Sequence, residues 1–314
     1  MKSPRNSPAN RGFTLMELMV AMAITAIIVT VLVSITSIAM DTWNRSRAEV
    51  RAARQAKAMV DAMARDFEAL VTRRGNTNEW LSAMSAKPLP GNSKTDFKSS
   101  NAAQLIFFSG ATDRYDGEIG VNNKKDLGGD VSCVSYRLFY QDPITNNGTT
   151  YQTFSLNRLL VNPDVTFNDL LGKADLTAAF GAHATDLASV ENFVCENVFQ
   201  FTVTFNVEAT KANAGSDVPT IVNVPVIIGQ TSTGQVTDSL KINGTGIVAK
   251  VASSSVSADE LKAGRITSIQ ISLTVLSDFG VDQLRSRKVP DAQRAEFLAK
   301  NGYQYCKVVQ IPSM

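Results

Sequence analysis

The sequence predicts an α+β protein: a long N-terminal helix, half suited to a membrane and half amphipathic, packed on an antiparallel β-sheet domain. Three observations lead there. From Leu18 to Met40 no side chain is charged, a run of roughly 23 residues, and a helix needs about 20 to cross hydrocarbon. From 41 to 74 apolar residues recur at intervals of three and four, the period of a helix with one buried face. Beyond about residue 102 the pattern turns to period two, as in half-buried strands.

The first element is a leader. Residues 1–12 carry Lys2, Arg5 and Arg11, two prolines and no acid, and read as a cytoplasmic segment outside the fold. A secretory signal peptide is the competing reading, with Ser37-Ile38-Ala39 as its small-x-small cleavage site. Against it, the apolar run is about twice the usual 7–15-residue core of a signal peptide, and it follows an acid, Glu17. A carboxylate at the edge of hydrocarbon is costly and is retained with a partner or a job. Charge asymmetry decides little: Arg45, Arg47, Arg51 and Arg54 follow the span, offset in part by Asp41 and Glu49. If the chain is cut after Gly12, Phe13 acquires a free amine and Glu17 lies four residues along the same helical face. In an assembly, the amine of one subunit would neutralise the carboxylate of its neighbour.

Gly12-Phe13-Thr14-Leu15-Met16-Glu17, followed by Leu18-Met19-Val20-Ala21-Met22-Ala23-Ile24, resembles the class III signal of type IV pilins and type II secretion pseudopilins. The resemblance implies that a prepilin peptidase cuts after Gly12 and methylates Phe13, and that Glu17, fifth counting from Phe13, is the assembly acid. It places the N-terminus in the cytoplasm and implies a single pass through a bacterial inner membrane with the globular part in the periplasm.

The amphipathic half comes next. Ala53, Ala56, Met59 or Val60, Met63, Phe67 and Leu70 form one stripe, while Arg51, Arg54, Lys57, Asp61, Arg65, Asp66 and Glu68 take the other positions. The stripe reads as core packing, and Gly75-Asn76 as the stop, giving a helix over 13–74. Residues 75–101, with Pro88, Pro90, Gly91, Asn92 and Ser93, read as a linker that Trp80 and Leu81 help to tack down.

The remainder, 102–314, is a β-rich globular domain. Strands are predicted at Gln104–Ser109, 131–140 and 151–161, the last two as a hairpin across Thr145-Asn146-Asn147-Gly148. The clearest alternation is Phe199, Phe201, Val203, Phe205 and Val207, followed by Ile269, Ile271, Leu273 and Val275, with a closing strand at Tyr303–Ile311. Short helices are expected at 166–171, at 184–192, behind the capping box Ser257-Ala258-Asp259-Glu260, and over 290–300. Segments 209–219 and 229–246 read as excursions, making 209–264 an insertion. One apolar face per strand predicts a sheet packed on one side, with helix 41–74 as its cover.

A wider pattern is similar to the J-type minor pseudopilins of type II secretion: Met63-Ala64-Arg65-Asp66-Phe67-Glu68, then Tyr136-Arg137-Leu138 with Leu156-Asn157-Arg158-Leu159, Val190-Glu191-Asn192-Phe193, Phe199-Gln200-Phe201 and the strand 265–276. The segments 209–264 and 285–314 depart from that pattern, which points towards a separate branch such as the pseudopilin-like cassette proteins of Verrucomicrobia. The departures bear on a secretion role more than on the pilin-like fold.

Composition excludes several classes. With 44% hydrophobic residues and a formal net charge of +2, the chain is neither disordered nor a polyelectrolyte, and its dispersed cations do not suit nucleic acid. His183 is the single histidine and reads as a surface or capping residue, so no catalytic residue is expected. No phosphate-binding loop and no Cys-x-x-Cys occurs, and Asp126-Leu127-Gly128-Gly129-Asp130 reads as a turn rather than a calcium loop. No cofactor and no metal are expected. Cys133, Cys195 and Cys306 permit one disulfide in an exporting compartment, pairing open, or three reduced thiols.

The expectation is therefore a minor pilin or pseudopilin subunit rather than an enzyme. It would assemble with like subunits into a pilus or type II secretion pseudopilus, at the tip or in initiation. The alternative is a membrane-anchored adhesin or binding module that uses the inserted loops 209–264.

Overall fold

The computed structural model describes residues 14–85, 89–90, 98–99, 102–110, 130–144, 151–213, 216–229, 231–232, 235–236, 239–250, 256–286 and 289–311. The leader 1–12, Phe13, the turn 145–148 and most of the Asp126–Asp130 segment lie outside the described residues. The chain divides into two units, residues 1–48 and 49–314. Helix α1 (Leu15–Glu68) contributes to both.

In the larger unit, the α1 stripe is buried at Ala52, Ala56, Met59, Val60, Met63, Ala64 and Phe67. The spacing is the expected one, but its upper end is Ala52 rather than Ala53. The helix also stops six residues before the predicted end. After Phe67 the chain turns outward: Val71 N–H donates to the Phe108 carbonyl at 2.9 Å, Gly110 N–H to the Ala69 carbonyl at 2.8 Å, and Leu70 bridges Ser109. Pairing with a neighbouring strand ends the helix before Gly75 is reached.

Two antiparallel sheets follow. The first joins β1 (Glu79–Ser85), β2 (Ala103–Ser109), β3 (Ser132–Gln141), β4 (Thr153–Val161), β5 (Phe193–Cys195), β8 (Ser239–Asn243) and β9 (Gly246–Ala249) in the order β9-β8-β1-β2-β3-β4-β5. The second joins β6 (Val198–Asn213), β7 (Ser216–Ile228), β10 (Arg265–Leu276) and β11 (Gly302–Gln310) in the order β11-β10-β6-β7. The predicted hairpin is β3–β4, in register at Val134 opposite Leu160. Phe199, Phe201, Val203, Phe205 and Val207 on β6 all point into the core, as do Ile269, Ile271, Leu273 and Val275 on β10.

Three expectations are corrected here. Residues 79–85 are no linker but strand β1, inside the first sheet between β8 and β2. Segment 209–249 is largely ordered sheet: β6 and β7 form a long hairpin, and β8–β9 extend the first sheet. The first sheet is packed on both faces rather than one. One face joins the main core with α1. On the other, Trp80, Ile106, Phe108, Cys133 and Val161 meet Leu170, Leu176, Phe180 and Leu187, which belong to the turn 166–170 and to helices α2 (Leu176–Phe180) and α3 (Ala184–Ala188). Asp175 caps α2 by accepting from Ala178 N–H at 3.1 Å.

The sheets meet beneath α1. Gly229 is needed there: its φ is +93°, a Cβ would lie 2.5 Å from the Phe201 carbonyl, and only glycine permits that approach. Helix α4 (Ala258–Lys262) starts on the predicted box, with Glu260 N–H donating to Ser257 Oγ at 3.2 Å and Ser257 N–H to Glu260 Oε2 at 2.7 Å. Helices α5 (Asp278–Ser286) and α6 (Asp291–Asn301) lead into β11, the predicted closing strand.

Candidate functional site

The candidate site is α1, at both of its ends. In the first unit, Thr14 and Glu17 close a capping box. Thr14 N–H donates to Glu17 Oε2 at 2.9 Å, Thr14 Oγ1 to the same oxygen at 3.0 Å, and Glu17 N–H to Thr14 Oγ1 at 3.2 Å. Thr-x-x-Glu ahead of an apolar run is the sequence signature of a helix start, a signal that the charge of Glu17 alone does not carry. Glu17 thus has a local task, satisfying a donor that the helix leaves open. Its other oxygen, Oε1, has no partner among the described residues. Gly12 and Phe13 lie outside the described residues, so the terminal amine enters only as a proposal below.

Behind this cap the helix is apolar on every side. Leu15, Met16, Met19, Met22, Ile24, Ile27 and the apolar side chains on to Met40 are all exposed. The segment has a mean hydropathy of 2.7, and by length and composition α1 can cross a membrane. Most of its hydroxyls are turned inward on the helix: Thr25, Thr30, Ser34, Thr36 and Thr42 each donate to the carbonyl four residues back, at 2.8–2.9 Å. A side chain bonded to its own backbone leaves no bare donor in an apolar medium.

At the other end, in the second unit, α1 is bolted to the first sheet. Asp66 is buried, and Arg158 grips it with two parallel bonds, Nε to Oδ2 and Nη2 to Oδ1, both 2.8 Å. Tyr136 donates its hydroxyl to Asp66 Oδ2 and accepts from Arg158 Nε at 3.0 Å. Ser109 Oγ caps the Asp66 carbonyl at 3.0 Å. Bidentate charge-assisted geometry is what a desolvated pair requires. Burial, and then the Asp66 charge, push the Tyr136 phenol well above its ordinary range. Burial opposes the Arg158 charge, but its bonds to Asp66 and Tyr136 more than offset this and hold it firmly protonated. Asp66, Tyr136 and Arg158 all lie in the segments read above as J-like, yet nothing in their spacing revealed that they meet.

The remaining candidates are bland. His183 Nδ1 sits 3.8 Å from Asp186 and its ring 5.7 Å from Phe180, at the end of the second core. No group of His, Cys, Asp and Glu suited to a metal occurs among the described residues. All three cysteines are free thiols. Cys133 and Cys195 are buried on opposite faces of the first sheet, in separate cores, and Cys306 is exposed on β11. Burial raises the Cys133 thiol, and burial with the Glu196 charge pushes Cys195 up to about 12.

The family described as the prokaryotic N-terminal methylation motif matches residues 7–33. The chain carries a prepilin-type N-terminus. This motif holds Gly12, Phe13, the Thr14–Glu17 cap and the exposed apolar run as far as Val33. A solved structure described as a type IV-like pilin from Thermus thermophilus aligns over 83% of this chain and 96% of its own, at 11% identity and a TM-score of 0.29; a likeness that slight carries no argument. No curated protein matches. The architecture is α+β, a long N-terminal helix on antiparallel sheets.

Proposed function

We propose that the protein is a minor pilin or pseudopilin subunit. It is inserted in the bacterial inner membrane, cut after Gly12 by prepilin peptidase and methylated at Phe13. It is drawn by α1 into a pilus or type II secretion pseudopilus, at the tip or in initiation, with residues 49–314 in the periplasm. The observation that carries this is the prepilin-type motif, residues 7–33, running into a helix whose apolar side chains are exposed all round. Such a surface needs lipid or other apolar helices around it, and a filament core of like helices supplies them after membrane extraction. A role in packing and polymerisation requires no catalytic group, and the chain is read as a structural subunit.

In this reading Glu17 caps its own helix and also meets the Phe13 amine of a neighbour. The two tasks separate by mutation. Glu17→Gln keeps the capping box, since glutamine serves in it as well as glutamate, but removes the charge. Thr14→Val weakens the box and keeps the charge. We expect Glu17→Gln to accumulate, be processed and fail to enter filaments, and Thr14→Val to assemble. Filaments from Glu17→Gln at the native yield would reduce Glu17 to a capping residue. N-terminal sequencing of membrane-extracted protein should give methylated Phe13; a start near Asp41 would make the segment a signal peptide instead.

A further inference from the structure

Where α1 gives way to β1, three backbone segments enclose a cleft of about 190 Å3: Thr72–Arg74, the β8–β9 turn at Asn243–Gly246, and Lys262–Ile266 between α4 and β10. Its rim carries Arg73, Arg74, Lys262 and Arg265 and, among the described residues, no acid. Arg265 is engaged by Glu208, Nη2 to Oε1 at 2.9 Å. Arg73 and Lys262 are exposed and have no carboxylate partner among the described residues. The floor is aliphatic, made by Ile242, Ile247 and Ile266, all buried.

The walls are set in advance. Gly75 N–H donates to the Gly244 carbonyl at 2.9 Å, and Asn243 Oδ1 accepts from Thr245 N–H at 3.0 Å and from its hydroxyl at 2.7 Å. Gly246, at φ +133°, lets the Lys262 carbonyl approach where any side chain would collide. In a protein of net charge +2, such a gathering of one sign around a concave, low-dielectric floor focuses the field on an anion. An apolar floor with a few convergent charges is the make-up of a binding cleft.

We propose that this cleft docks an acidic peptide segment of a partner protein. A carboxylate is held by Arg73 and Lys262, and an adjacent aliphatic side chain lies on the isoleucine floor. The cleft volume suits one or two residues. No aromatic face lines the cleft for a sugar ring to lie against, which favours peptide over acidic polysaccharide. Two of its three walls, Asn243–Gly246 and Lys262–Ile266, lie in the 209–264 segment and at its border, where the sequence departs from the J-like pattern. It stands whether or not the chain polymerises.

The test uses the full-length protein in detergent micelles and a fluorescein-labelled peptide of alternating Glu and Leu, read by anisotropy. Binding should saturate, weaken severalfold from about 50 to about 300 mM salt, and vanish for the matching Lys/Leu peptide. Arg73→Ala with Lys262→Ala should weaken it by about fivefold to tenfold, while Lys57→Ala with Lys300→Ala, exposed cations elsewhere, leaves it unchanged. Equal loss in both double variants, or no saturable binding, overturns the proposal. Binding of polyuronate in place of the peptide overturns it too, making the occupant a polysaccharide. Filament failure alongside normal peptide binding would count against the proposed function alone.

Discussion

Asp66 is held by a guanidinium and a phenol in a largely buried site, so its neighbours depend on its charge. Asp66→Asn turns one of the two accepting oxygens into an NH2 donor and leaves the largely buried Arg158 without its counter-charge, which costs about 3–5 kcal/mol. Thermal or urea unfolding of the protein in micelles measures it. Asp66→Leu with Arg158→Met should recover most of that loss, because a buried pair exchanged for apolar groups is often neutral. Tyr136 adds a pH dependence of known sign. Its folded pKa is raised, so its contribution is intact below the unfolded value of about 10 and is lost as pH rises towards the folded one. Above pH 10 the group removes about 1.4 kcal/mol per pH unit, and Tyr136→Phe should subtract one such increment from the alkaline slope. The thiols give a simpler readout. Cys306 alone should react with a thiol reagent in the native protein, and all three after denaturation, as expected of free, differently buried cysteines. Only one reactive thiol in the unfolded, unreduced chain would mean that a disulfide exists after all.

At the scale of elements, strand β1 is the sharpest test. Leu81 is fully buried within the first sheet, so Leu81→Ala should cost about 2–5 kcal/mol. Val248, exposed on edge strand β9, should tolerate alanine within about 0.5 kcal/mol. Equal, small losses at both would return 79–85 to the status of a linker. Why β1 escaped notice is physical. Its first five residues are all buried, because Trp80 faces one core and Leu81 and Ala83 the other, and a strand covered on both faces shows no alternation. Strands β6 and β10 were legible because one face of each meets the core and the other carries Gln, Thr and Ser. The lower half of α1 was legible for the same reason, but its end was set by a strand contact at Leu70 that is remote in sequence. The Asp66–Tyr136–Arg158 cluster was illegible in kind, since it joins residues up to 92 positions apart. The Thr14–Glu17 box was legible and overlooked.

Across the 49–314 unit as a whole, α1 holds two sheets together at one ring. Phe67 stacks on Phe107 of the first sheet, with centroids 4.5 Å apart and planes within 8°, and meets Phe205 of the second edge-on at 6.3 Å. A parallel bridge from Ala102 to Phe201 joins the sheets nearby. If α1 is the common wall of both, the unit unfolds in a single step, and probes on either sheet report one midpoint. Trp80 reports on the first sheet once Trp43 is replaced by Phe, and a dye on exposed Cys306 reports on the second. In that background the two transitions should coincide. Phe67→Ala, by emptying a site that touches both sheets, should lower both by the same amount, about 3–5 kcal/mol. If the Cys306 probe melted apart from Trp80 in either protein, the sheets would be separate folding units and α1 would pack on only one of them. The Phe67 ring would then couple α1 to the first sheet alone.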